Sequence, residues 1–331
     1  MSIVNKSQWD GFLARHPESH ILQTSEWGEF KSEFGWEPVW LISGDSGAQV
    51  LFRRLPFGYS IAYVPKGPVG KEWKELLDEI NCQCKSKNAI VLYIEPDQWE
   101  NEMSDSLLLK QGFRISKISI QPRRTISISL NGSEEDWLLR MKQKTRYNIR
   151  LAEKKDVKVK SSSEIDVFNQ LMKVTGERDN FGVHNDQYYQ SVFNHFSKSG
   201  QCELLVSFYY NQPLAGLIVF FRGSRAWYFY GASNNKERNR MPTYLIQFEA
   251  MRLASKRGCV EYDLWGVPDF ELNELEEKFM EKDKGLWGVY RFKRGFGGEL
   301  KRTAGVFQRI MNPALYRLYQ FAYQVKKQSL A

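Results

Sequence analysis

The chain has 331 residues, of which 42% are hydrophobic and 26% are charged, and its net charge is +8. This composition excludes a disordered chain, and the length predicts two domains. No basic start is followed by an apolar run of signal-peptide length, and no stretch of about 18 apolar residues could span a bilayer, so the sequence predicts a cytoplasmic protein.

The first clear pattern of elements lies between residues 49 and 96. Strands are predicted at 49–52 and 59–64 around the turn LPFG, followed by a helix over 73–84. The apolar run AIVLYIEP at 89–96 then predicts a further strand. The order of elements in this half is therefore hairpin, helix, strand.

A single amphipathic helix is predicted from Ser133 to Lys155. Ser133 and Asp136 form a capping-box pattern, and apolar residues recur at helical spacing from Trp137 to Ala152. Residues 140–160 hold nine Lys or Arg against two acids. A basic stripe of this kind favours polyanionic partners such as nucleic acid, phosphates or an anionic membrane surface.

The domain boundary is predicted at residues 122–133, where Pro122 and the turn NGS interrupt the pattern. The predicted first domain comprises residues 1–132 together with a returning C-terminal segment, 305–331. The predicted second domain comprises residues 133–304.

The second half repeats the order of elements seen in the first. The turn NQPL opens strands at 215–221 and 225–231, a helix over 243–256 ends at Gly258, and the strand CVEYDLWG follows. Tyr63 and Tyr93 are 30 residues apart, and Tyr230 and Tyr262 are 32 apart. The sequence thus predicts an internal duplication, giving two tandem acetyltransferase-like (GNAT-like) α/β domains. The alternative to a duplication is that two unrelated βαβ units have the same order of elements by chance.

The C-terminal segment over residues 306–327 carries an amphipathic helical stripe with Pro313 near its start. Packing back onto a domain is the favoured interpretation of this stripe. A peripheral membrane contact is the alternative.

Familiar catalytic constellations are missing from the sequence. The four histidines and four cysteines lack the spacing of a metal site or a Ser-His pair, so reduced structural thiols are predicted. GxGxxG and Walker patterns are absent, and the segment NNKERNRMP at 234–242 stands where the acetyl-CoA fold has its pyrophosphate loop. The sequence therefore predicts no cofactor and argues against acetyl-CoA as the donor.

Positive charges at predicted turns are the remaining candidates. Lys66 lies between a strand and a helix, where backbone N–H groups favour an anion. Lys293, in YRFKRGFGG, is flanked by aromatic residues and glycines, which predicts a partly buried cation beside a tight turn. Glu95 and Asp263 end the corresponding closing strands, where ligand contacts occur in open α/β sheets. Either carboxylate could act on an amine or form an ion pair.

Taken together, these segments resemble the Fem peptidyltransferases (FemABX): QTSEWGEFK, PKGP, RRT, MKQKTRYNIRLAEK, ERDNFG, YFYGASN, MPTYL, YDLWGVP and GVYRFKRGFGG. The resemblance covers nearly the whole chain in order. It implies transfer of an amino acid from aminoacyl-tRNA to a stem-peptide amine of UDP-MurNAc-pentapeptide or lipid II. Nothing between Met141 and Lys293 has the heptads of a coiled-coil arm, and the run 272–284 is short, so the compact FemX-like type is implied.

Roles follow from the resemblance position by position. Lys293 matches the lysine expected at the transfer site, and Glu95 stands where an aspartate is expected, which weakens its case as an essential base. The resemblance also implies that Lys31 and Arg178 hold the diphosphate and that Tyr93, Glu95 and Tyr230 line the acceptor channel. Lys66 and Asp263 are further predicted substrate-binding residues, from their own positions at strand ends. The basic face near residues 140–160, or the strip from Lys293 to Arg302, could supply the phosphate contacts for tRNA. The residues predicted to make them are Arg294, Lys301, Arg302, Lys144 and Arg146.

Two other functions remain open from the residues alone. An acyl-CoA-dependent N-acyltransferase would retain the usual donor of the fold, although the pyrophosphate loop is missing. A non-catalytic RNA-binding module would use the same basic stripe, with salt-sensitive binding. DNA is not a predicted partner.

Overall fold

The computed structural model describes residues 2–102, 106–179, 182–282 and 285–328. Asn180 and Phe181 of the ERDNFG segment, and Asp283 and Lys284 of the run 272–284, lie outside the described residues. The chain divides into two compact units, Met1–Ile120 with Thr303–Ala331, and Gln121–Arg302.

Fourteen strands are found in the described chain. In chain order they are β1 (Ser2–Val4), β2 (Trp36–Ser43), β3 (Ser46–Arg54), β4 (Ser60–Pro65), β5 (Ala89–Glu95), β6 (Arg114–Ile115), β7 (Arg124–Ser129), β8 (Lys158–Ser162), β9 (Cys202–Tyr209), β10 (Gln212–Arg222), β11 (Arg225–Ser233), β12 (Glu261–Val267), β13 (Glu299–Arg302) and β14 (Phe307–Ile310).

Twelve α-helices accompany the strands over the same described residues. They are α1 (Lys6–Ala14), α2 (Ser25–Ser32), α3 (Lys74–Ser86), α4 (Ser106–Lys110), α5 (Glu134–Arg140), α6 (Gln143–Lys154), α7 (Ile165–Asp179), α8 (Asp186–Lys198), α9 (Pro242–Lys256), α10 (Leu272–Lys278), α11 (Leu286–Lys293) and α12 (Pro313–Gln328).

The first unit is a seven-stranded sheet in the order β1-β2-β3-β4-β5-β14-β6. Strands β4 and β5 run parallel and are joined through α3, while the other pairs are antiparallel. Helix α3 buries Leu76, Leu77, Ile80 and Cys84, whose spacing places them along one face. Burying each leucine is worth roughly 1.5–3 kcal/mol, which explains why this helix stays on the sheet.

The second unit repeats this topology in the order β13-β7-β12-β11-β10-β9-β8. Here β11 and β12 are the parallel pair, joined through α9. The core of this unit includes Trp137, Phe248, Tyr262 and Tyr290. The elements predicted from residues 49–96 and 215–266 are therefore confirmed, including Gly258 with a φ of +83° just after α9.

The strand next to one edge of each sheet comes from an unexpected part of the chain. Strand β7 follows β6 in sequence but pairs with β12 and β13. Strand β14 follows β13 but pairs with β5 and β6. The division accordingly lies at Ile120, ahead of the position predicted at residues 132 and 133, because β7 belongs to the second sheet.

Two predicted helices are different in the structure. The capping box of Ser133 and Asp136 is present, but the helix predicted to Lys155 stops at Arg140. Met141 is extended, with a ψ of 152°, and the Lys142 N–H donates to the carbonyl of Gly295 at 2.9 Å, so a new helix begins at Gln143. A tertiary hydrogen bond thus interrupts a continuous amphipathic pattern.

The predicted C-terminal helix over residues 306–327 is also shorter than expected. Its first residues form β14, because Phe307 pairs with Ile94 and Ile310 pairs with Val91. Tyr316 is buried, whereas Leu318 and Phe321 are exposed. The side chain of Val325, which is part of the predicted stripe, lies outside the described residues. None of the described helices is both long enough and apolar enough to cross a membrane.

Candidate functional site

The strongest candidate site lies where β11 and β12 separate. The two strands pair in parallel only from Arg225 with Glu261 to Trp227 with Asp263. The register of β12 against β7 shifts between Asp263 and Gly266, and Trp265 has a φ of +61°. Such a conformation is uncommon for a bulky residue and is often found at functional sites. The bulge leaves backbone carbonyls at the end of β12 available to side chains.

Lys293 occupies this opening from the last turn of α11. Its Nζ donates to the carbonyl of Gly266 at 2.9 Å and to that of Trp265 at 3.2 Å. It also lies 5.5 Å from the ring centroid of Tyr228. The residue is only 5% exposed. Burial lowers the pKa of Lys293 to about 7, an effect that Asp263 partly opposes.

Asp263 is the buried carboxylate of the same site, at 7% exposure. It accepts a hydrogen bond from the Trp265 N–H at 2.6 Å and another from the hydroxyl of Thr125 on β7. Burial raises the pKa of Asp263 to about 6, although these hydrogen bonds and the Lys293 charge act in the opposite direction. The site therefore holds two ionisable groups that both titrate near neutral pH.

The glycines after Lys293 permit a close approach of two backbones. Gly297 has a φ of +78°, and a Cβ there would lie 2.1 Å from the carbonyl oxygen of Arg140. A Cβ on Gly295 would lie 2.2 Å from the hydroxyl of Thr145 in α6. The turn is thus held against the break between α5 and α6, which fixes the end of α11 and with it Lys293.

The basic residues around Lys293 are mostly paired with acids. Arg294 Nε donates to Glu276 at 2.7 Å, Lys301 lies 3.1 Å from Glu261, and Arg302 Nε lies 2.8 Å from Asp269. On the basic helix α6, Lys144 is exposed, whereas Arg146 donates to the carbonyl of Met141. Lys144 is therefore the most accessible of the five cations assigned to tRNA, and the role of all five remains a prediction.

Arg178 and Tyr230 lie at another part of the second unit. Arg178 donates to the carbonyl of Ser233 at 2.9 Å and forms a two-point pair with Asp179. The Tyr230 hydroxyl lies 3.3 Å from that of Tyr188, and burial raises its pKa well above the usual value. Tyr230 thus remains a neutral hydroxyl at physiological pH.

The first unit contains a second buried lysine and carboxylate. Lys66 Nζ lies 3.7 Å from Glu95 Oε1, and the hydroxyl of Tyr63 donates to Glu95 Oε2 at 2.7 Å. Tyr93 lies two residues before Glu95 on the same face of β5, and its hydroxyl donates to that of Tyr316 at 3.3 Å. The structure therefore brings Lys66 and Glu95 together.

Lys31 lies in the last turn of α2 in the first unit, next to aromatic rings. Its Nζ lies 5.6 Å from the ring centroid of Trp27 and 5.5 Å from that of Phe30. Burial lowers its pKa to about 8, and the charge of Arg53 acts in the same direction. An anion bound near both cations would raise the pKa of Lys31 back toward its usual value.

Two residues of these sites were missed by sequence reasoning. Thr125 and Tyr63 hydrogen-bond the two carboxylates from neighbouring strands. Their positions depend on strand register, and Thr125 lies on the strand that changes sheet. The spacing of residues along one strand carries no signal for either contact.

A cavity of about 360 Å³ in the second unit is not the candidate site. It is lined by Arg140, Glu261, Lys301 and Gly297 but not by Lys293. Three of the charged residues that line it have partners within the chain, because Lys301 pairs with Glu261 and Arg140 donates to the carbonyl of Ser129. Among the described residues no cluster of His, Cys, Asp or Glu could hold a metal ion, and all four cysteines are free thiols.

Comparison with known proteins extends over almost the full chain. The FemAB family model matches residues 4–207 and 203–324. A lipid II:glycine glycyltransferase of Staphylococcus epidermidis is 26% identical over 403 aligned positions, which cover 97% of this chain and 94% of the relative. The alignment is longer than the 331 residues of the chain, so the relative has inserted residues without a counterpart here.

Solved structures support the same fold. A crystal structure of FemX superposes with a TM-score of 0.84 at 24% identity, covering 96% of this chain and 98% of that one. A tandem GNAT protein from the clavulanic acid biosynthesis pathway has a TM-score of 0.53 at 10% identity, with coverage of 93% and 95%. The prediction of two tandem GNAT-like units is confirmed.

Proposed function

The chain belongs to the FemAB family, as its sequence motifs predict, and from this premise we propose that it transfers an amino acid from aminoacyl-tRNA to the stem-peptide amine of a peptidoglycan precursor. The curated relative that covers nearly all of this chain is named as a glycyltransferase acting on lipid II. That name supports an aminoacyltransferase that builds interpeptide bridges. The tRNA donor, the amino acid and the choice between UDP-MurNAc-pentapeptide and lipid II are parts of the proposal.

The buried Lys293 at the bulge of β12 is the observation that carries this proposal. An aminoacyl ester is already activated, so the acceptor amine can attack its carbonyl carbon without an enzyme nucleophile. The new C–N bond forms, the C–O bond to the tRNA ribose breaks, the ammonium nitrogen loses a proton and the ribose oxygen gains one. Protonated Lys293 would stabilise the oxyanion formed between these two steps.

Asp263 is proposed as a positioning residue for that charge. Its carboxylate favours the protonated form of Lys293, while the carbonyls of Trp265 and Gly266 fix the direction of Nζ. Because these groups are buried, their charges act through a medium of lower dielectric than water. Orientation and charge stabilisation can then supply most of the rate.

Each unit contains some of the residues proposed to contact the precursor. In the first unit Lys31 would bind the diphosphate, and Lys66, Tyr93 and Glu95 would contact the precursor. In the second unit Arg178 and Tyr230 would do so. For the donor, exposed Lys144 and the less accessible Arg146, Arg294, Lys301 and Arg302 would contact tRNA phosphates, with the reaction at the cytoplasmic side.

The test is a transfer assay with the purified full-length chain, charged tRNAs and either UDP-MurNAc-pentapeptide or lipid II. We expect one of the small amino acids glycine, alanine or serine to be incorporated into one of the two precursors. Mass spectrometry of the product identifies the amino acid and the site of attachment. No transfer of any of these amino acids to either precursor would remove the proposal.

An acyl-CoA-dependent acyltransferase is the main competing enzyme class, and the entrance to α9 argues against it. Pro242 is the first helical residue and has no N–H to offer a pyrophosphate, and Glu237 pairs with Arg240 just ahead of it. Measurable binding of acetyl-CoA or a longer acyl-CoA by calorimetry would favour this alternative.

A non-catalytic RNA-binding module is the other competing function. It would bind charged and uncharged tRNA equally, with affinity that falls steeply as salt is raised, and it would not respond to precursor. The buried lysine and carboxylate argue against it, since RNA phosphates need exposed cations. Equal binding of both tRNA forms together with no transfer would support the module.

A further inference from the structure

The tip of the hairpin between β3 and β4, residues 55–59, exposes an aromatic ring. Phe57 is 96% exposed and has a φ of +62°. The turn is closed by a hydrogen bond from the Leu55 N–H to the carbonyl of Tyr59 at 2.8 Å, and Gly58 has a second positive φ of +75°. We call these five residues the hairpin tip.

The requirements of the turn do not explain why position 57 carries a phenylalanine. A left-handed backbone disfavours a large side chain, and an exposed ring gains nothing from packing. Asparagine or glycine would adopt this conformation more readily. The corresponding turn of the second unit, between β10 and β11, uses Gly223 and Ser224 and has no aromatic residue. The ring at the hairpin tip is therefore an addition to the shared fold.

Basic side chains surround the hairpin tip. Arg53 and Arg54 end β3 on its approach to the tip and are exposed, and the Arg54 side chain is 87% exposed. The turn after α3 joins the same end of the sheet, because Asn88 Nδ2 donates to the carbonyl of Gly58 at 3.4 Å and Ser60 N–H to that of Asn88 at 3.1 Å. Lys87 lies in this turn, and Lys85 is exposed in the last turn of α3 just before it.

One acid offsets part of this positive charge. Glu37 lies 2.5 Å from Lys87 and 3.7 Å from Arg54. Two of the four cations, Arg54 and Lys87, thus share this one carboxylate. A single apolar ring within a cationic rim differs from a protein interface, whose core has a broader apolar area depleted of charge.

We propose that the hairpin tip docks on an anionic lipid bilayer, with Phe57 inserted among the headgroups and Arg53, Arg54 and Lys85 bound to lipid phosphates. Aromatic rings partition into this interfacial layer, and cations near an anionic leaflet add electrostatic attraction. The contact is reversible, since one ring and a few charges give only weak anchoring. This inference goes beyond the proposed transfer reaction, because it requires neither tRNA nor precursor.

The experiment measures sedimentation of the full-length protein with vesicles of phosphatidylcholine, with or without phosphatidylglycerol. We expect binding to the phosphatidylglycerol vesicles that weakens as salt is raised. Phe57→Asn should lower the partition coefficient about tenfold, the loss expected for one large apolar side chain. Arg54→Gln should lower it about fivefold, the weight of one cation at an anionic surface.

Leu272→Ser provides the matched control, because Leu272 is an exposed apolar residue at 53% exposure beside Glu271 and Glu274. It should bind vesicles like the unmodified chain. Asparagine suits the backbone at position 57, so Phe57→Asn should unfold at the same or a higher urea concentration, which separates lost binding from lost folding.

Three outcomes would overturn the membrane proposal. They are no binding of the unmodified chain to either vesicle, equal binding with and without phosphatidylglycerol, and unchanged binding by Phe57→Asn. The first would favour a protein partner for the hairpin tip. A failure of the transfer assay would leave these vesicle results intact, so the two proposals can fail separately.

Discussion

In each unit a lysine lies near a carboxylate at the end of the one parallel strand pair of the sheet. The two lysine–carboxylate pairs are nevertheless built differently. In the first unit β4 and β5 stay paired as far as Pro65 and Glu95, and Lys66 lies 3.7 Å from Glu95. In the second unit the pairing of β11 and β12 ends at Trp227 and Asp263, and Lys293 turns to backbone carbonyls instead.

The separation of β11 from β12 explains why Lys293 and Asp263, the pair in the second unit, are the better candidates for catalytic residues. Unpaired carbonyls at the bulge accept Lys293 and hold it in a buried position. Burial lowers the pKa of Lys293 from 10.5 to about 7, a shift worth roughly 5 kcal/mol of differential interaction. A buried lysine with a lowered pKa is a candidate for a catalytic group, whereas Lys66 and Glu95 can be explained as a buried ion pair at the end of a paired strand.

The largest effect is expected from Lys293→Met. The variant should lose transfer activity by roughly a hundred- to a thousandfold, the range found when one stabilising donor is removed from an oxyanion site. It should keep its fold, because methionine fills a similar volume. The measurement is kcat/KM for aminoacyl transfer, with circular dichroism to check folding. Full activity in a folded Lys293→Met protein would exclude Lys293 from the mechanism.

The matching change in the first unit, Lys66→Met, should act on stability. It leaves Glu95 buried without its cation, and removing one partner of a buried ion pair costs about 3 kcal/mol or more. Urea unfolding should therefore shift to lower denaturant concentration. The precursor contact proposed for Lys66 adds a higher KM for the precursor to this loss of stability. An unchanged unfolding midpoint would show that the pair does not stabilise the fold, and an unchanged KM would remove Lys66 from the acceptor site.

Sequence patterns were sufficient for the repeated core but not for the strands that complete each sheet. Residues 49–96 and 215–266 follow periodicities of 2 and 3.6, so their hairpins and helices were predictable. Strand β7 is short and follows β6 directly, and only its pairing with β12 shows that it belongs to the second sheet. The break at Met141 was equally hidden, since it depends on a hydrogen bond to Gly295 from a distant segment.

The sequence predicted the surroundings of Lys293 correctly, but not the accessibility of the basic residues that follow it. Aromatic residues and glycines around Lys293 predicted a buried cation at a tight turn, and the structure confirms that environment. The charges of Arg294, Lys301 and Arg302 suggested an open cationic strip, but acids distant in sequence pair with them. The sequence gives the charge of a residue, but whether that charge can bind a ligand depends on the residues around it in the folded protein.

The support beneath Lys293 can be tested with Gly297→Ala, for which we expect a loss of about 2 kcal/mol in stability. The substitution adds both a left-handed backbone penalty and a clash with the carbonyl of Arg140. Gly258→Ala is the matched control, because Gly258 has a φ of +83° but open space around its Cα. It should lose only about 1 kcal/mol. Equal losses in urea unfolding would mean that the contact with Arg140 contributes nothing.

The smallest effect concerns pH and the coupling between Asp263 and Lys293. Lys293 with a pKa of about 7 loses its proton as pH rises through 7. If the cation stabilises the oxyanion, the rise of kcat/KM with pH that ionisation of the acceptor amine produces should level off near pH 7. The Asp263 charge, present above its pKa of about 6, favours protonated Lys293. Asp263→Asn removes this charge, so the levelling-off should move to lower pH.

The shift should lower the rate of Asp263→Asn at pH 8 about tenfold, the effect of one unit in the pKa of Lys293. Ionisation of the acceptor amine raises the rate with pH equally in both proteins, so the ratio of their rates isolates Lys293. Asp269→Asn is the control, because this carboxylate pairs with Arg124 and Arg302 instead. Levelling-off at the same pH in all three proteins would show that Asp263 does not control the charge of Lys293, and the backbone carbonyls of Trp265 and Gly266 would then be what distinguishes the second pair from the first.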